Sequence, residues 1–216
     1  MRNNLMQATS SLFHPAATRK RCQQHLDACR TKSFRPGEQL YCARASGISW
    51  RVISGSVRLN RVADDGKILF ANLAVEGDVI GAETLLMGRY EFEAVAISDC
   101  ELVPWPGGAS SASRNALLQI LAAAERRTAD VVALRSGLAK DRVMRLITMI
   151  AQRDGNDDLC FALLKGQDIS EITDLTKETI SRIISSLKHD GILRKKIIPD
   201  HTGHRNYIVS QRSGDR

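Results

Sequence analysis

Leu175-Thr176-Lys177-Glu178-Thr179-Ile180-Ser181-Arg182-Ile183-Ile184-Ser185-Ser186-Leu187-Lys188 is the stretch that decides how this chain is read. Ile180, Ile183, Ile184 and Leu187 recur at helical spacing and leave Lys177, Glu178, Ser181, Arg182 and Ser185 on the outer side. Thr176 makes a good N-cap, because its hydroxyl can accept from an unpaired amide of the first turn. Just upstream, Asp168-Ile169-Ser170-Glu171-Ile172-Thr173 places Ile169 and Ile172 on one face, and Leu175 adds to the same apolar side. Asp174 stands where the chain must turn, and aspartate is among the few non-glycine residues that tolerate a left-handed backbone. Two short helices joined by a tight turn predict a helix-turn-helix.

The outer face of the second helix suits the edges of base pairs. Arginine can donate two hydrogen bonds to guanine O6 and N7, glutamate can accept from cytosine N4, and serine can bond several base edges. Glu178 and Arg182 are four apart, so they also satisfy the plainer description of a solvated helix with an ordinary ion pair. The segment C-terminal to this helix favours the first description. Asp190-Gly191, Ile192-Leu193, Arg194-Lys195-Lys196, a turn at 199–203 and Arg205-Asn206-Tyr207-Ile208-Val209 predict a two-stranded wing with a basic edge. Such an edge can rest on phosphates, giving affinity without sequence information.

Working outward, Val143, Leu146, Ile147 and Ile150 form one face of a helix that ends near Asp154-Gly155. Before it, residues 111–137 hold no Pro or Gly until their end, and Leu117, Leu121, Ala124, Thr128, Val131, Arg135 and Leu138 fall at alternating spacings of four and three. That heptad seam, weakened by Thr128 and Arg135, fits either a helix packed on its own domain or a coiled coil with a second copy. Residues 32–106 read as short strands between turns: Phe34-Arg35-Pro36-Gly37-Glu38, an alternating run about Gly55, Asp64-Asp65-Gly66 as a hairpin, Glu76-Gly77-Asp78, Gly81, and alternating Phe92-Glu93-Ala94-Val95-Ala96-Ile97. The fold class is therefore α+β. A jelly-roll β-barrel occupies 1–110, a long helix 111–138 and a winged helix-turn-helix 139–216.

In that order of parts the chain resembles the Crp/Fnr superfamily of bacterial transcription regulators. The most specific match is Leu175-Thr176-Lys177-Glu178-Thr179-Ile180-Ser181-Arg182, followed by Leu187 and Gly191-Ile192-Leu193, with Phe34 to Glu38, Gly55 and Gly77-Asp78…Gly81 matching in the first domain. The Glu-x-x-Ser-Arg pattern looks like the Fnr branch, whose half-sites contain a TTGA-like core. The resemblance implies that Arg182 reads the guanine, Glu178 the complementary strand and Ser181 a thymine. Thr176, Lys177, Ser185 and Lys188 complete the candidate DNA-binding set. It further implies a homodimer through the long helix, a palindromic operator on double-stranded DNA and contact with RNA polymerase. Asp174 replaces the glycine usual at the turn.

The sensor half departs from the best-known relatives. Cyclic-nucleotide binders of the family hold the phosphate with an Arg-Ser or Arg-Thr pair shortly after a Gly-Glu turn. Here Gly81-Ala82-Glu83 matches that turn only approximately, and Gly88-Arg89-Tyr90-Glu91-Phe92-Glu93 lacks the pair. Glu91 and Glu93 would repel a phosphate, so cyclic AMP is not expected to bind. Gly81, Glu83, Thr84, Arg89 and Thr128 are weak candidates for contact with an unidentified small-molecule effector. Oxygen-sensing relatives carry an iron–sulfur cluster on closely spaced cysteines. Cys22 and Cys29 have six residues between them, with only Cys42 and Cys100 to complete a set, so unligated thiols are the simpler reading and a cluster or haem stays open. His201 and His204, in the wing turn without a thiol or carboxylate cluster, make a poor metal site, and no metal is expected.

Composition agrees. The chain has 216 residues, 43% hydrophobic and 25% charged, as in an ordinary soluble protein. Its best apolar run, 116–124, is closed by Glu125-Arg126-Arg127, far short of the roughly 20 residues of a membrane helix. Residues 1–20 have no sustained apolar core, so no signal peptide is expected and the location is read as cytoplasmic, without a membrane partner. Five scattered cysteines, an odd number, fit reduced thiols. The net charge of +7 fits a polyanionic partner, but 17 basic and 13 acidic residues in 1–138 against 14 and 11 in 139–216 do not locate it. A P-loop, nucleophile elbow, metal-ligand run or dinucleotide fingerprint is absent from the sequence, so an enzyme is not expected. The competing description is a ligand- or redox-sensing interaction module whose winged domain has degenerated; the intact Glu178, Ser181 and Arg182 count against it.

Overall fold

The computed structural model describes residues 31–106, 113–153, 159–196 and 206–210. The first part is built from β1 (Lys32–Phe34), β2 (Gln39–Tyr41), β3 (Ser49–Ser54), β4 (Ser56–Val62), β5 (Ile68–Val75), β6 (Val79–Ile80), the short helix α1 (Thr84–Met87), β7 (Glu93–Ala96) and β8 (Cys100–Trp105). They form two antiparallel four-stranded sheets, ordered β1-β8-β3-β6 and β2-β7-β4-β5. Eight strands divided between two facing sheets in this order make a jelly roll. The sheets face each other and do not close, so the expected barrel is instead a pair of open sheets. Val52, Val57, Ala94, Ala96 and Leu102 are fully buried between them.

The turns are where the sequence put them. The alternating run about Gly55 is two strands, β3 and β4, broken at that glycine, which has a φ of 85° and lies so close to Asp99 O that a Cβ would come within 2.1 Å of it. The hairpin at Asp64-Asp65-Gly66 joins β4 to β5, with Ala63 N donating to Lys67 O at 2.9 Å and Gly66 at a φ of 79°.

Helix α2 (Arg114–Ala133) starts on Ser113, whose hydroxyl accepts from Ala116 N. The heptad seam divides along it. Leu117 and Leu121 stay exposed, whereas Val131 is buried in its own protomer beside Leu73, Val75 and Leu134. Arg135 is drawn to the next domain, its Nη2 donating to Glu171 O at 2.7 Å. A seam through Val131 and Arg135 is thus corrected: the exposed apolar face runs through Leu118, Leu121 and Val132, with Thr128 between them.

The last part comprises α3 (Ala139–Ile150), β9 (Gln152–Arg153), β10 (Leu159–Ala162), α4 (Gly166–Thr173), α5 (Lys177–His189), β11 (Leu193–Lys195) and β12 (Asn206–Val209). The wing strands β11 and β12 pair as expected, but they belong to a four-stranded sheet ordered β11-β12-β10-β9. Val143, Leu146 and Ile147 of α3 pack with Ile172, Ile180, Leu187 and Phe161, and this core is continuous with Leu73 and Val131 of the sensor and α2. The chain turn at Asp154-Gly155, the wing turn at 199–203 with His201 and His204, Arg205, and the N-terminal segment with Cys22 and Cys29 lie outside the described residues. Among the described residues no helix is long and apolar enough to cross a membrane.

Asp174 closes α4 at φ 55°, ψ 44°, the left-handed conformation anticipated for the turn. Replacing Asp174 by glycine should raise stability to urea by up to about 1 kcal/mol, and Asp174→Val should lower it by about 1–2 kcal/mol. A valine variant as stable as the parent would show that the turn is not left-handed.

Candidate nucleic-acid interface

Three features aim α5. Thr176 Oγ1 accepts from Thr179 N at 3.2 Å and shares a 2.9 Å hydrogen bond with Thr179 Oγ1, so the helix begins on a side-chain cap. Ser170 Oγ donates to Leu175 O at 2.6 Å across the turn, holding the two helices together. Beneath, Ile180, Ile184 and Leu187 are buried against α3 and α4.

The opposite face is open. Lys177, Glu178, Ser181, Arg182 and Ser185 are all exposed, and Glu178, Ser181, Arg182 and Ser185 fall at the spacing that shares one helical face. Arg182 Nη2 donates to Glu178 Oε1 at 2.5 Å, with about three-quarters of each side chain solvent-accessible. Exposed pairs of this kind contribute little to stability, so the contact holds two polar heads in place and can give way when a base edge offers better partners. The helix N-terminus, with its unpaired amides, adds partial positive charge on the same side. Two members of the predicted set sit differently. Thr176 is committed to capping, and Lys188 Nζ lies 4.7 Å above the ring of Tyr207, where it braces α5 against β12. On the wing, Arg194 and Lys195 are exposed.

Sequence reasoning missed how α4 is held. Its last turn leaves carbonyl groups without partners inside the helix. Arg135 donates Nε to Ile172 O at 3.2 Å and Nη2 to Glu171 O at 2.7 Å, while Arg142 Nη1 donates to Thr173 O at 3.3 Å. On the flank of α4, Arg58 of β4 donates Nη1 to Asp168 Oδ1 at 3.0 Å and makes a short contact to Glu171 Oε2. Burial pushes the Asp168 carboxyl above its usual value; Arg58 pulls it back down, and the burial dominates. Residues 110 apart in sequence give no local signal of such a pairing.

Four of the five sensor candidates, Gly81, Glu83, Thr84 and Arg89, lie about one turn, and Thr128 lies on α2. Thr84 Oγ1 donates to Gly81 O at 2.7 Å, Glu83 Oε1 accepts from Glu91 N at 3.2 Å, and Arg89 lies 3.8 Å from Glu91. Thr128 is exposed on α2 and donates back to Ala124 O at 2.9 Å. The space under Gly81 is filled by Tyr90: a Cβ on Gly81 would meet its ring at 2.7 Å. Tyr90 stacks on Tyr41 with centroids 3.7 Å apart. Its hydroxyl donates to Ile48 O at 2.7 Å and accepts from Ile48 N and Trp50 Nε1. A separate cleft of about 220 Å³ lies between the sheets and α2, lined by Arg51, Asn72, Asp78, Trp105, Gln119 and Arg127; none of the five predicted residues lines it. In it Arg127 Nε donates to Asp78 Oδ2 at 2.8 Å, joining α2 to the turn after β5.

Among the described residues no group of three or more His, Cys, Asp or Glu could hold a metal ion. Cys42 is exposed and Cys100 buried, and burial pushes the Cys100 thiol above its usual range against the hydrogen bonds from its neighbours.

Comparison with known proteins agrees with this arrangement. A family described as the cyclic nucleotide-binding domain matches residues 31–110, and one described as the Crp-like helix-turn-helix domain matches 141–202. The chain is 30% identical over 155 residues to the nitrogen fixation regulation protein FixK of Azorhizobium caulinodans, a match spanning 66% of this chain and 62% of that protein's own length. It is 23% identical over 163 residues to FixK of Rhizobium meliloti, covering 74% and 76% of the two chains. Among solved structures, a CRP-family transcriptional regulator of Thermus thermophilus superposes with a TM-score of 0.60 at 20% identity, over 82% of this chain and 91% of that one. FixK2 of Bradyrhizobium japonicum superposes with a TM-score of 0.57 at 24% identity, over 85% and 93%. Both domains occur here in the family's order around one long helix, and the chain belongs to the Crp/Fnr superfamily of transcription regulators.

Proposed function

We propose that the protein is a cytoplasmic homodimer that binds a palindromic operator with TTGA-like half-sites and controls transcription through RNA polymerase. The observation that carries this reading is the open face of α5, with Glu178, Ser181, Arg182 and Ser185 exposed together on a capped helix. Arg182 reads the guanine, Glu178 the complementary strand and Ser181 a thymine. Lys177 and the wing's Arg194 and Lys195 rest on phosphates. The second copy meets α2 along Leu118, Leu121 and Val132, which are 57%, 57% and 64% exposed in the single chain and apolar enough to need a cover. Two half-sites of TTGA-N6-TCAA have their centres about 10 base pairs apart, one helical turn, which presents both to one side of the duplex for a twofold-symmetric dimer. The protein binds and assigns no catalytic step to any of its residues.

For the sensor, we propose that the family's cyclic-nucleotide cradle is replaced. Tyr90 fills the space below Gly81, and Glu91 and Glu93 would repel a phosphate. Isothermal calorimetry with cyclic AMP is expected to give no binding heat at micromolar concentration; saturable heat there would contradict this. For the DNA interface, Arg182→Ala should lose about 1–3 kcal/mol on TTGA-N6-TCAA relative to a scrambled duplex at fixed salt, with relaxed preference at the guanine. An unchanged ratio would favour the interaction-module description.

A further inference from the structure

α4 and α5 pack as one unit, because Ile169 and Ile172 of α4 and Ile180 and Ile184 of α5 share a buried core. Whatever fixes α4 therefore fixes the recognition helix. Arg58 projects from β4, an inner strand of the second sensor sheet, and reaches two carboxylates one helical turn apart on α4, Asp168 and Glu171. Its side chain is 16% exposed and that of Asp168 14%, so water screens this pair far less than a surface bridge. Glu171 is itself oriented by Gln167, whose Nε2 donates to Oε1 at 2.6 Å. At the other end of α4 the Arg135 guanidinium caps the carbonyls while stacking 5.0 Å from the ring of Phe70 on β5. Attachment at both ends of the helix removes rotation as well as translation.

The attachment leaves the reading face of α5 uncovered, so it braces that helix rather than blocking it. We infer that Arg58, through Asp168 and Glu171, is a positioning residue that fixes the distance between the two recognition helices and thereby the half-site spacing the dimer accepts. The inference rests on the operator reading proposed above. Each added base pair moves a half-site by about 3.4 Å and turns it by about 35° around the duplex, so a braced pair of helices tolerates one spacing and an unbraced pair several. Without Arg58, α4 keeps Arg135, Arg142 and the shared core but loses its flank attachment, so α4 and α5 tilt more readily while the base contacts are untouched.

The test uses the full chain, duplexes with N5, N6 and N7 spacers at fixed salt, and hydrogen exchange of the DNA-free protein. The parent is expected to prefer N6 over N5 and N7 by about tenfold or more. Arg58→Gln should narrow that preference to less than about threefold, keep the guanine preference within each half-site, and speed exchange of the α4 amides. Should Arg58→Gln fail to fold, Arg58→Lys, which keeps the charge but loses the planar fork, is judged by the same criteria. A variant that keeps the parent's spacing preference, or loses all three duplexes equally with α4 exchange unchanged, overturns the inference. A parent that does not distinguish any of the three from scrambled DNA removes the operator reading instead. The exchange arm then decides the brace alone, and unchanged α4 exchange in the variant overturns it.

Discussion

The carbonyl end of α4 is the point on which this architecture turns. A helix of eight residues satisfies few of its own backbone groups, and its last carbonyls must find donors elsewhere. Here the donors are guanidinium groups from the α2–α3 link and from α3, while a third guanidinium, from the sensor sheet, takes the carboxylates on its flank. Each arginine answers a local need, an unpaired carbonyl or a buried charge. Together they tie sensor, long helix and DNA-binding domain into one body with one continuous core. Removing one partner of a largely buried ion pair such as Arg58–Asp168 leaves the other charge stranded.

The same economy explains the sensor. In the jelly roll the aromatic side chain of Tyr90 occupies the space beneath Gly81. Its hydroxyl is engaged by Ile48 and Trp50, and its ring stacks on Tyr41. One open cleft lies between the sheets and α2, around the Arg127–Asp78 pair. That cleft sets Arg51, Arg127 and Asp78 over an apolar floor against the long helix.

Much of this was legible in the sequence where the cause is local. The left-handed turn at Asp174, the Thr176 cap and the isoleucine spacing of α5 depend on residues a few positions apart, and so do the glycine turns of the jelly roll. What could not be read depends on distant pairing. The strand β10, whose Phe161 pairs with Tyr207 across the sheet, went unread because its partner lies 46 residues away. Arg135 at a heptad position reads as a flaw in a coiled-coil seam, yet the fold turns it to α4, and Val131 beside it faces the protomer's own core. Arg58 lies in an alternating strand where nothing marks it as different from Arg61. The exposed set on α5 was visible in the pattern, but the withdrawal of Lys188 onto Tyr207 required the wing.

The central claim is that the exposed face of α5, presented twice by a symmetric dimer, reads DNA sequence. Selection of bound fragments by the purified protein from a pool of random duplexes tests it most directly. The account predicts enrichment of an inverted repeat with TTGA-like arms whose centres are about 10 base pairs apart. Recovery of no motif, or of one without twofold symmetry, would contradict it.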